Sequence, residues 1–278
     1  MKKSILRVIW AKSENLEYFN FGDDLTPYLI TQLSDVRIKY MHFAGTRLNI
    51  TKQFIYGIVN GKFSSRYLID FIDSFIAKEY VIAVGSIISA YSSSRCLVWG
   101  SGIINCNEMI YKSNFLAVRG EYTRNAIKKL NYQPPSVIGD PALLLPLIYQ
   151  SKKLKKYKLG IIPHIIHYKI VKDNPFFEDV LVINLNNENI EKIIDDINSC
   201  EYTISTSLHG IIVSHAYNIK CLWYYIDSIP LWGDNVKLPP YFSSVPTPDS
   251  SPFASPLTPT PPISPPPTPP PPTPPPPP

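Results

Sequence analysis

The sequence predicts an α/β protein of two Rossmann-like units followed by a disordered proline-rich tail. Short apolar runs that end in glycine or small polar residues alternate with helical patterns, as in doubly wound parallel sheets. The alternation occurs on both sides of a basic connector, KKLKKYK at 152–158. From residue 239 onward the chain holds 21 of its 29 prolines and almost no charge, a composition that cannot support a packed core. The predicted divisions are therefore a first unit at 1–150, a second at 151–244 and a tail at 245–278.

The first unit opens with an apolar run that is predicted to form a buried strand. Arg7 interrupts this run and no small-residue cleavage site follows, so residues 4–11 are assigned to a strand and not to a signal peptide. The helix predicted at 23–34 has an aspartate N-cap and Pro27 in its first turn. The aromatic-rich region 41–78 has no assigned element. Further strands are predicted at 79–86, 96–102 and 114–120, with a helix at 121–130. The segment 135–145 is predicted to hold a further short strand that ends at Gly-Asp-Pro.

The second unit repeats the alternation after the connector. Its predicted strands are 158–164, 179–185, 201–206 and 220–226, and its predicted helices are 187–200, with an asparagine cap, and 208–218. Ligands of such sheets bind beyond the carboxyl ends of the strands. We therefore expect the functional site among the loops that follow the strands.

The junction STSLHG at 205–210 carries the most information about chemistry. Ser205, Thr206 and Ser207 supply hydroxyl groups, and Gly210 would let a ligand approach the backbone. The helix that follows offers unpaired N–H groups and the positive end of its dipole to a phosphate or carboxylate. His209 beside such an anion suits a general acid. The alternative is that the hydroxyls only cap the helix and that His209 packs in the core, and the residues alone leave both open.

Three further junctions have both a functional and a structural interpretation. Arg119, at the end of a strand, can hold a carboxylate or phosphate through two parallel hydrogen bonds, or it can form an interdomain salt bridge. Asp140, in a Gly-Asp-Pro turn, orders that turn or orients a basic residue, and the structural role is favoured. The loop with Asn20, Gly22 and Asp23 caps a helix or holds a sugar hydroxyl, and capping is favoured.

Several classes of function are not supported by the sequence. His164 and His167 are three residues apart without other metal ligands nearby, so no metal site is predicted. The chain has no dinucleotide fingerprint and no P-loop, and a net charge of +5 does not indicate nucleic-acid binding. Four dispersed cysteines indicate reduced thiols in a cytoplasmic protein, and no apolar run is long enough for a transmembrane helix. The P-x-x-P patterns of the tail match ligands of SH3-like domains, although a passive tail is favoured.

Taken in order, these junctions resemble the polysaccharide pyruvyl transferase family over about residues 5–244. The combination of RG, GDPALLLP and SLHGIIVSHAY carries most of the weight. The matching pieces are NFGDDL, AVGSI, VWGSG, AVRGEYTRNAIKKL, VIGDPALLLP, GIIPH, ISTSLHGIIVSHAYNIKCLW and GDNVKLPPYFSS.

The resemblance implies a GT-B-like arrangement with the site in the cleft between the two units. It implies transfer of a pyruvyl group from phosphoenolpyruvate, as co-substrate, to sugar hydroxyls, usually as a cyclic ketal, with no metal or organic cofactor. Arg119 and His209 match family residues that handle the donor. The remaining donor-site residues are Ser205, Thr206, Ser207, Leu208, Gly210 and Lys237. Residues expected on the acceptor side or in the cleft are Asn20, Gly22, Asp23, Gly85, Ser86, Gly100, Ser101, Asp140 and His164.

The resemblance also sets the expected partners and the competing hypotheses. Some relatives have arginine where this chain has Ser207, and Lys237 or a basic residue from 152–156 is the predicted substitute. The expected acceptor is a glycan or a sugar-lipid, with peripheral membrane association, and nucleic acid is not an expected partner. One alternative is a GT-B glycosyltransferase that uses a nucleotide sugar. Another is an inactive relative that acts as an interaction protein through its tail.

Overall fold

Two parallel β-sheets form the framework of the protein. The structure is a computed structural model that describes residues 4–12, 19–105, 107–174, 177, 180–226, 229 and 253–254. The first sheet has the strand order β2-β1-β3-β4-β5-β6 and the second has the order β11-β10-β9-β7-β8. The strands are β1 Ile5–Ile9, β2 Arg37–Tyr40, β3 Tyr80–Ile82, β4 Cys96–Trp99, β5 Asn114–Val118, β6 Val137–Ile138, β7 Tyr157–Ile162, β8 Leu181–Val182, β9 Cys200–Ser205, β10 Lys220–Tyr225 and β11 Phe253–Ala254.

Helices connect most of these strands, and every described strand pair is parallel. This arrangement confirms the predicted α/β class with parallel, Rossmann-like sheets. None of the helices in the described part of the chain is long and apolar enough to cross a bilayer. The helices are α1 Phe21–Leu33, α2 Arg47–Val59, α3 Ser65–Ile76, α4 Ile88–Tyr91, α5 Glu121–Lys129, α6 Leu145–Ile148, α7 Tyr168–Lys172, α8 Ile190–Asn198 and α9 Leu208–Ala216.

Helix α1 begins earlier than predicted. Asn20 occupies its N-cap position, so the predicted aspartate cap is wrong, and Asp23 lies inside the first turn. Phe21 and Gly22 are buried, and their burial draws the start of the helix toward the core. Pro27 consequently lies in the second turn and not in the first.

The segment 135–145, predicted to hold a short strand that ends at Gly-Asp-Pro, contains the two-residue strand Val137–Ile138 directly before Gly139. Asp140 then caps a 3₁₀ turn at Pro141–Leu144, where its Oδ1 accepts a hydrogen bond of 3.0 Å from the amide of Ala142. Pro141 at the start of this turn has no N–H to donate to a neighbouring strand. The structural role favoured for Asp140 is therefore present.

The region 41–78 folds as a helical hairpin of α2 and α3. Thr46 and Ser64 cap the two helices by accepting hydrogen bonds from the amides of Asn49 and Tyr67. The aromatic side chains lie between the helices, where the rings of Phe54 and Phe71 stack with centroids 4.0 Å apart. The many aromatic residues of this region, for which the sequence predicted no element, therefore form the contacts between its two helices.

One apolar cluster contains residues from both halves of the chain. Phe21, Leu25 and Leu29 of α1 belong to it, together with Ile194 of α8 and Ile211 of α9. These side chains are completely buried. Helix α1 therefore packs against elements of the second half, while the boundary at residue 150 and the GT-B-like arrangement stay predictions.

The proline-rich tail lies almost entirely outside the described residues. Phe253 and Ala254 are the exception, because they pair in parallel with Tyr224 and Tyr225 of β10. The prediction of a tail without structure from 245 onward is wrong for these two residues.

Candidate active site

The candidate site lies where the carboxyl ends of strands from both sheets approach each other. Helix α1 follows β1 in the first sheet, and helix α9 follows β9 in the second. The first turns of these two helices are in direct contact at Gly22 and His209. Two loops that the sequence places far apart therefore meet at one point, as expected for ligand sites in parallel sheets.

Gly22 is the residue that allows this contact. A Cβ atom at Gly22 would lie 1.9 Å from Nδ1 of His209 and 2.4 Å from its Cε1. The imidazole consequently occupies the space that a side chain at position 22 would need. His209 is half-buried, and it is the second residue of α9 after Leu208. Its ring is held against α1 while the amides of the α9 first turn lie beside it.

The hydroxyls of Ser205 and Thr206 are used within the protein. Ser205 Oγ accepts a hydrogen bond of 3.0 Å from the amide of Ser207 and lies 2.8 Å from the carbonyl oxygen of Ile162. Thr206 Oγ1 accepts a hydrogen bond of 2.8 Å from the amide of His164. Both side chains are buried and hold the loops after β7 and β9 together.

Ser207 differs from its two neighbours. It is the N-cap residue of α9, yet its side chain makes no capping hydrogen bond. The side chain of Ser207 therefore does not occupy the amides of the first turn of α9, where the helix has its partial positive charge. This end of the helix retains the capacity to bind an anion.

Gly210 has a packing role. A Cβ atom there would lie 2.4 Å from Ser205 Oγ and 2.7 Å from a methyl carbon of Ile162. The glycine thus lets α9 approach β7 and β9 closely. The Cβ side of Gly210 is therefore filled by the protein itself, and the predicted approach of a ligand to its backbone stays a prediction.

Arg119 and Asp140 follow the neighbouring strands β5 and β6 and are both buried. Arg119 is completely enclosed, and its Nη2 donates a hydrogen bond of 3.3 Å to the carbonyl oxygen of Ile103. Within the described residues, Nε and Nη1 of Arg119 and Oδ2 of Asp140 have no hydrogen-bond partner. The guanidinium group lies directly beneath Gly102, where a Cβ atom would be 2.6 Å away.

Burial dominates the electrostatics of this pair. It raises the pKa of Asp140 to about 6, although the charge of Arg119 opposes the shift. Burial also lowers the pKa of Arg119, against the charges of Asp140 and Glu108. The two groups form an enclosed polar cluster behind the loop at 101–103, and Arg119 can contact a ligand directly only if this loop moves.

Loops after β3 and β4 lie beside the first turn of α1. Gly85, with φ at +109°, lies beside Asp23, whose Oδ1 would be 3.4 Å from a Cβ at position 85. The Nδ2 atom of Asn20 donates a hydrogen bond of 2.5 Å to Asp23. Ser101 Oγ donates a hydrogen bond of 2.8 Å to the carbonyl oxygen of Gly85. These contacts bring the predicted cleft residues of the first half to one edge of the sheet.

Three other predicted site residues complete this description. Ser86 is partly buried and directly follows Gly85, while Gly100 is buried at the end of β4, against Pro141. His164 is partly buried in the loop after β7. Lys237 lies outside the described residues.

His167 and Thr26 help to build the site, although sequence reasoning considered His167 only as a metal ligand and did not consider Thr26. His167 is buried, and its ring nitrogens lie 2.8 Å from Thr206 Oγ1 and 2.7 Å from the carbonyl oxygen of Ile229. Thr26 Oγ1 accepts a hydrogen bond of 3.0 Å from the amide of Val84, which fixes α1 to the end of β3. The described residues contain no group of three or more histidine, cysteine or acidic side chains placed to hold a metal ion.

The fold and the site define a class of α/β proteins in which parallel sheets present their carboxyl edges to a common site. The model of the polysaccharide pyruvyl transferase family matches residues 20–228. The chain therefore belongs to this family, whose description indicates a transferase that acts on polysaccharides.

A viral protein is also similar to this chain. It is named Uncharacterized protein L143, from Acanthamoeba polyphaga mimivirus, and is 30% identical over 168 residues. The alignment covers 58% of this chain and 58% of the viral protein. The chain thus spans little more than half the length of that curated relative.

Proposed function

We propose that the protein transfers the pyruvyl group of phosphoenolpyruvate to sugar hydroxyls and forms a ketal on a glycan. The contact of His209 with Gly22, at the start of α9, is the observation that carries the proposal. It places a half-buried imidazole beside a helix N-terminus that favours an anion. The donor has both a phosphate and a carboxylate, and the family to which the chain belongs acts on polysaccharides.

His209 acts as the general acid in this proposal. It donates a proton to the methylene carbon of phosphoenolpyruvate, which becomes a methyl group and leaves a cationic carbon at the former enol position. A sugar hydroxyl adds to that carbon and loses its proton, and the bond from carbon to the phosphate oxygen then breaks. A second hydroxyl of the sugar adds to the same carbon, loses its proton and closes the ketal. The net products are the ketal and inorganic phosphate.

The first turn of α9 is the proposed phosphate site. Its amides and dipole stabilise negative charge on the phosphate both before and after the bond breaks. Ser207, which makes no capping hydrogen bond, can donate its hydroxyl to the same group. Asp23, in the first turn of α1, and Gly85 beside it form the proposed side for the acceptor sugar.

Arg119 is proposed to support the donor site from beneath the loop at 101–103. Its hydrogen bond to the carbonyl oxygen of Ile103 holds the loop, and its enclosed positive charge favours an anion on the other side of Gly102. Arg119→Lys keeps the charge, whereas Arg119→Met removes it. We expect the methionine variant to bind phosphoenolpyruvate more weakly than the lysine variant.

Calorimetric titration with phosphoenolpyruvate tests the location of the donor. His209→Gln is expected to weaken binding on the order of tenfold, because the positive charge of the protonated imidazole beside the anionic donor is lost. His42→Gln is the matched control, since this histidine is exposed and follows β2 at the far edge of the first sheet. Equal affinity of the wild type and His209→Gln would place the donor away from the start of α9.

A further inference from the structure

The hairpin of α2 and α3 turns an apolar face outward. In α3 the exposed residues Leu68, Ile69, Ile72 and Ile76 recur every three or four positions and so form one stripe along the helix. Ile72 is 48% exposed and Ile76 is 61% exposed. The opposite side of this helix holds the buried residue Ser74.

Helix α2 and the loop after it continue this surface. Leu48, Ile55 and Val59 lie on the side of α2 opposite the buried residue Gly57, and Val59 is 79% exposed. Phe63, in the loop between the two helices, is 64% exposed. The aromatic rings between the helices already provide the hairpin with a core, so these outward residues are not needed to hold it together. Exposed apolar area of this extent marks an interaction surface.

The charges of the hairpin are complementary to an anionic partner. Its exposed cations include Lys52, within the apolar stripe of α2, and Lys62, next to Phe63. The acidic residues between 47 and 76 are Asp70 and Asp73.

Neither of these two carboxylates contributes negative charge to the outward face. Asp70 is buried and lies 3.2 Å from Nε of Arg66. Asp73 is bound by Arg7 and Lys39, at 2.8 and 3.1 Å. The outward face is consequently apolar and positively charged.

We propose that this hairpin surface binds the headgroup layer of an anionic phospholipid bilayer. The apolar stripes enter the boundary between headgroups and acyl chains, and the lysines contact lipid phosphates, as in other interfacial amphipathic helices. The bilayer is favoured over a protein partner because lysines lie within and beside the apolar stripes, as interfacial binding requires. The surface is separate from the loops that carry His209, so the inference does not depend on the transferase activity.

Flotation of the full chain with vesicles tests this proposal. One vesicle set is pure phosphatidylcholine, and the other contains one third phosphatidylglycerol. The wild type is expected to float with the anionic vesicles and to be released as salt increases. The triple variant Val59→Asn, Ile69→Asn, Ile72→Asn should lose binding on the order of tenfold or more. Lys52→Gln and Lys62→Gln should each lower it about fivefold.

Matched controls come from exposed residues elsewhere on the protein. The triple variant Leu130→Asn, Leu147→Asn, Leu154→Asn removes as many exposed apolar side chains and should float like the wild type. Lys128→Gln, on α5, is the control for charge. Circular dichroism establishes that each variant retains its helices.

Insertion of the hairpin can be measured directly. Tryptophan introduced by Val59→Trp should be quenched by brominated acyl chains, whereas Leu154→Trp should not. Failure of the wild type to float, or equal flotation of both triple variants, would overturn the proposal. It would also be overturned if the wild type formed a dimer that the hairpin variant lacked and bound no vesicles, because a second copy would then cover the surface.

Discussion

Replacing Gly22 with alanine is expected to displace the imidazole of His209. The added Cβ would lie 1.9 Å from Nδ1, and ordinary contact begins at 3.4 Å, so the atoms must separate by about 1.5 Å. The position of Gly22 is fixed by helix α1, whose second turn is joined to the end of β3 by the hydrogen bond from the amide of Val84 to Thr26. The ring of His209 is therefore expected to move, and to move away from the site.

The size of the effect follows from opposing contributions. Overpacking costs about 1–3 kcal/mol, and alanine gains about 1 kcal/mol over glycine inside a helix. The free energy of unfolding should consequently fall by about 2 kcal/mol or less. Misplacement of a reacting group by about 1 Å costs on the order of a hundredfold in rate. Gly22→Ala should thus be folded but nearly inactive in phosphate release from phosphoenolpyruvate.

A double-mutant cycle measured by urea denaturation isolates this contact. In the background of His209→Ala the ring is absent, and Gly22→Ala should then stabilise the protein by about 1 kcal/mol through helix propensity. In the wild-type background the same change should destabilise it. A coupling of about 1–3 kcal/mol between the two positions is expected. Additive effects would refute the contact between Gly22 and His209, whatever the activity of the protein.

Three further predictions concern stability and are measured by chemical denaturation. Burial raises the pKa of Asp140 from 3.8 to about 6, so the folded state keeps this proton to a higher pH than the unfolded state does. The free energy of unfolding should consequently fall by about 2 kcal/mol between pH 4 and pH 7. Asp140→Asn should remove this fall, and an unchanged pH profile would argue against the burial of a carboxylate there. Gly210→Ala should destabilise the protein by about 1–2 kcal/mol, since its Cβ would meet Ser205 and Ile162, and a more stable variant would contradict the packing role. Thr206→Val should cost about 1–3 kcal/mol because the amide of His164 loses its acceptor, whereas Thr206→Ser should retain most of the stability.

Most strands of the two sheets were predictable because burial in a parallel sheet requires continuous apolar runs. Strand β2, Arg37–Tyr40, was missed, because this edge strand has the sequence RIKY, which alternates basic and apolar residues. The predicted strands 79–86 and 96–102 correspond to Tyr80–Ile82 and Cys96–Trp99. The loops at their carboxyl ends were equally predictable, since parallel strands present these ends at one edge. Arg119 therefore lies in the expected position along the chain.

The burial and the hydrogen-bond partners of the site residues were not predictable from apolar runs. The complete enclosure of Arg119 depends on Gly102 and Ile103, which come from a neighbouring loop. The hydroxyl of Ser205 accepts a hydrogen bond from the amide of Ser207 in its own loop and donates one to the carbonyl oxygen of Ile162, which is 43 residues earlier in the sequence. Both effects arise from tertiary packing between segments that are far apart in the sequence. The residue types within one segment therefore do not predict them.

The hairpin of α2 and α3 shows why region 41–78 could not be assigned from its sequence. Helix α3 is amphipathic in the inverted sense, because Asp70 and Ser74 are buried while its apolar stripe is exposed. Phe54 and Phe71 add apolar residues on the sides where the two helices meet, so the usual rule of an apolar face toward the core does not apply. Phe54 and Phe71 stack only because the turn at 60–64 brings them together. The same excess of apolar residues that obscured the helices forms the surface proposed to bind a bilayer.

Acceptor-dependent release of phosphate from phosphoenolpyruvate tests the central proposal most directly. The wild type and His209→Ala are compared with a panel of galactosides, mannosides and N-acetylhexosamines as acceptors. We predict release by the wild type that requires one of these acceptors, and a loss on the order of a hundredfold or more in His209→Ala, which should still fold. Equal rates of acceptor-dependent release from the wild type and from His209→Ala would contradict the assignment of the general acid.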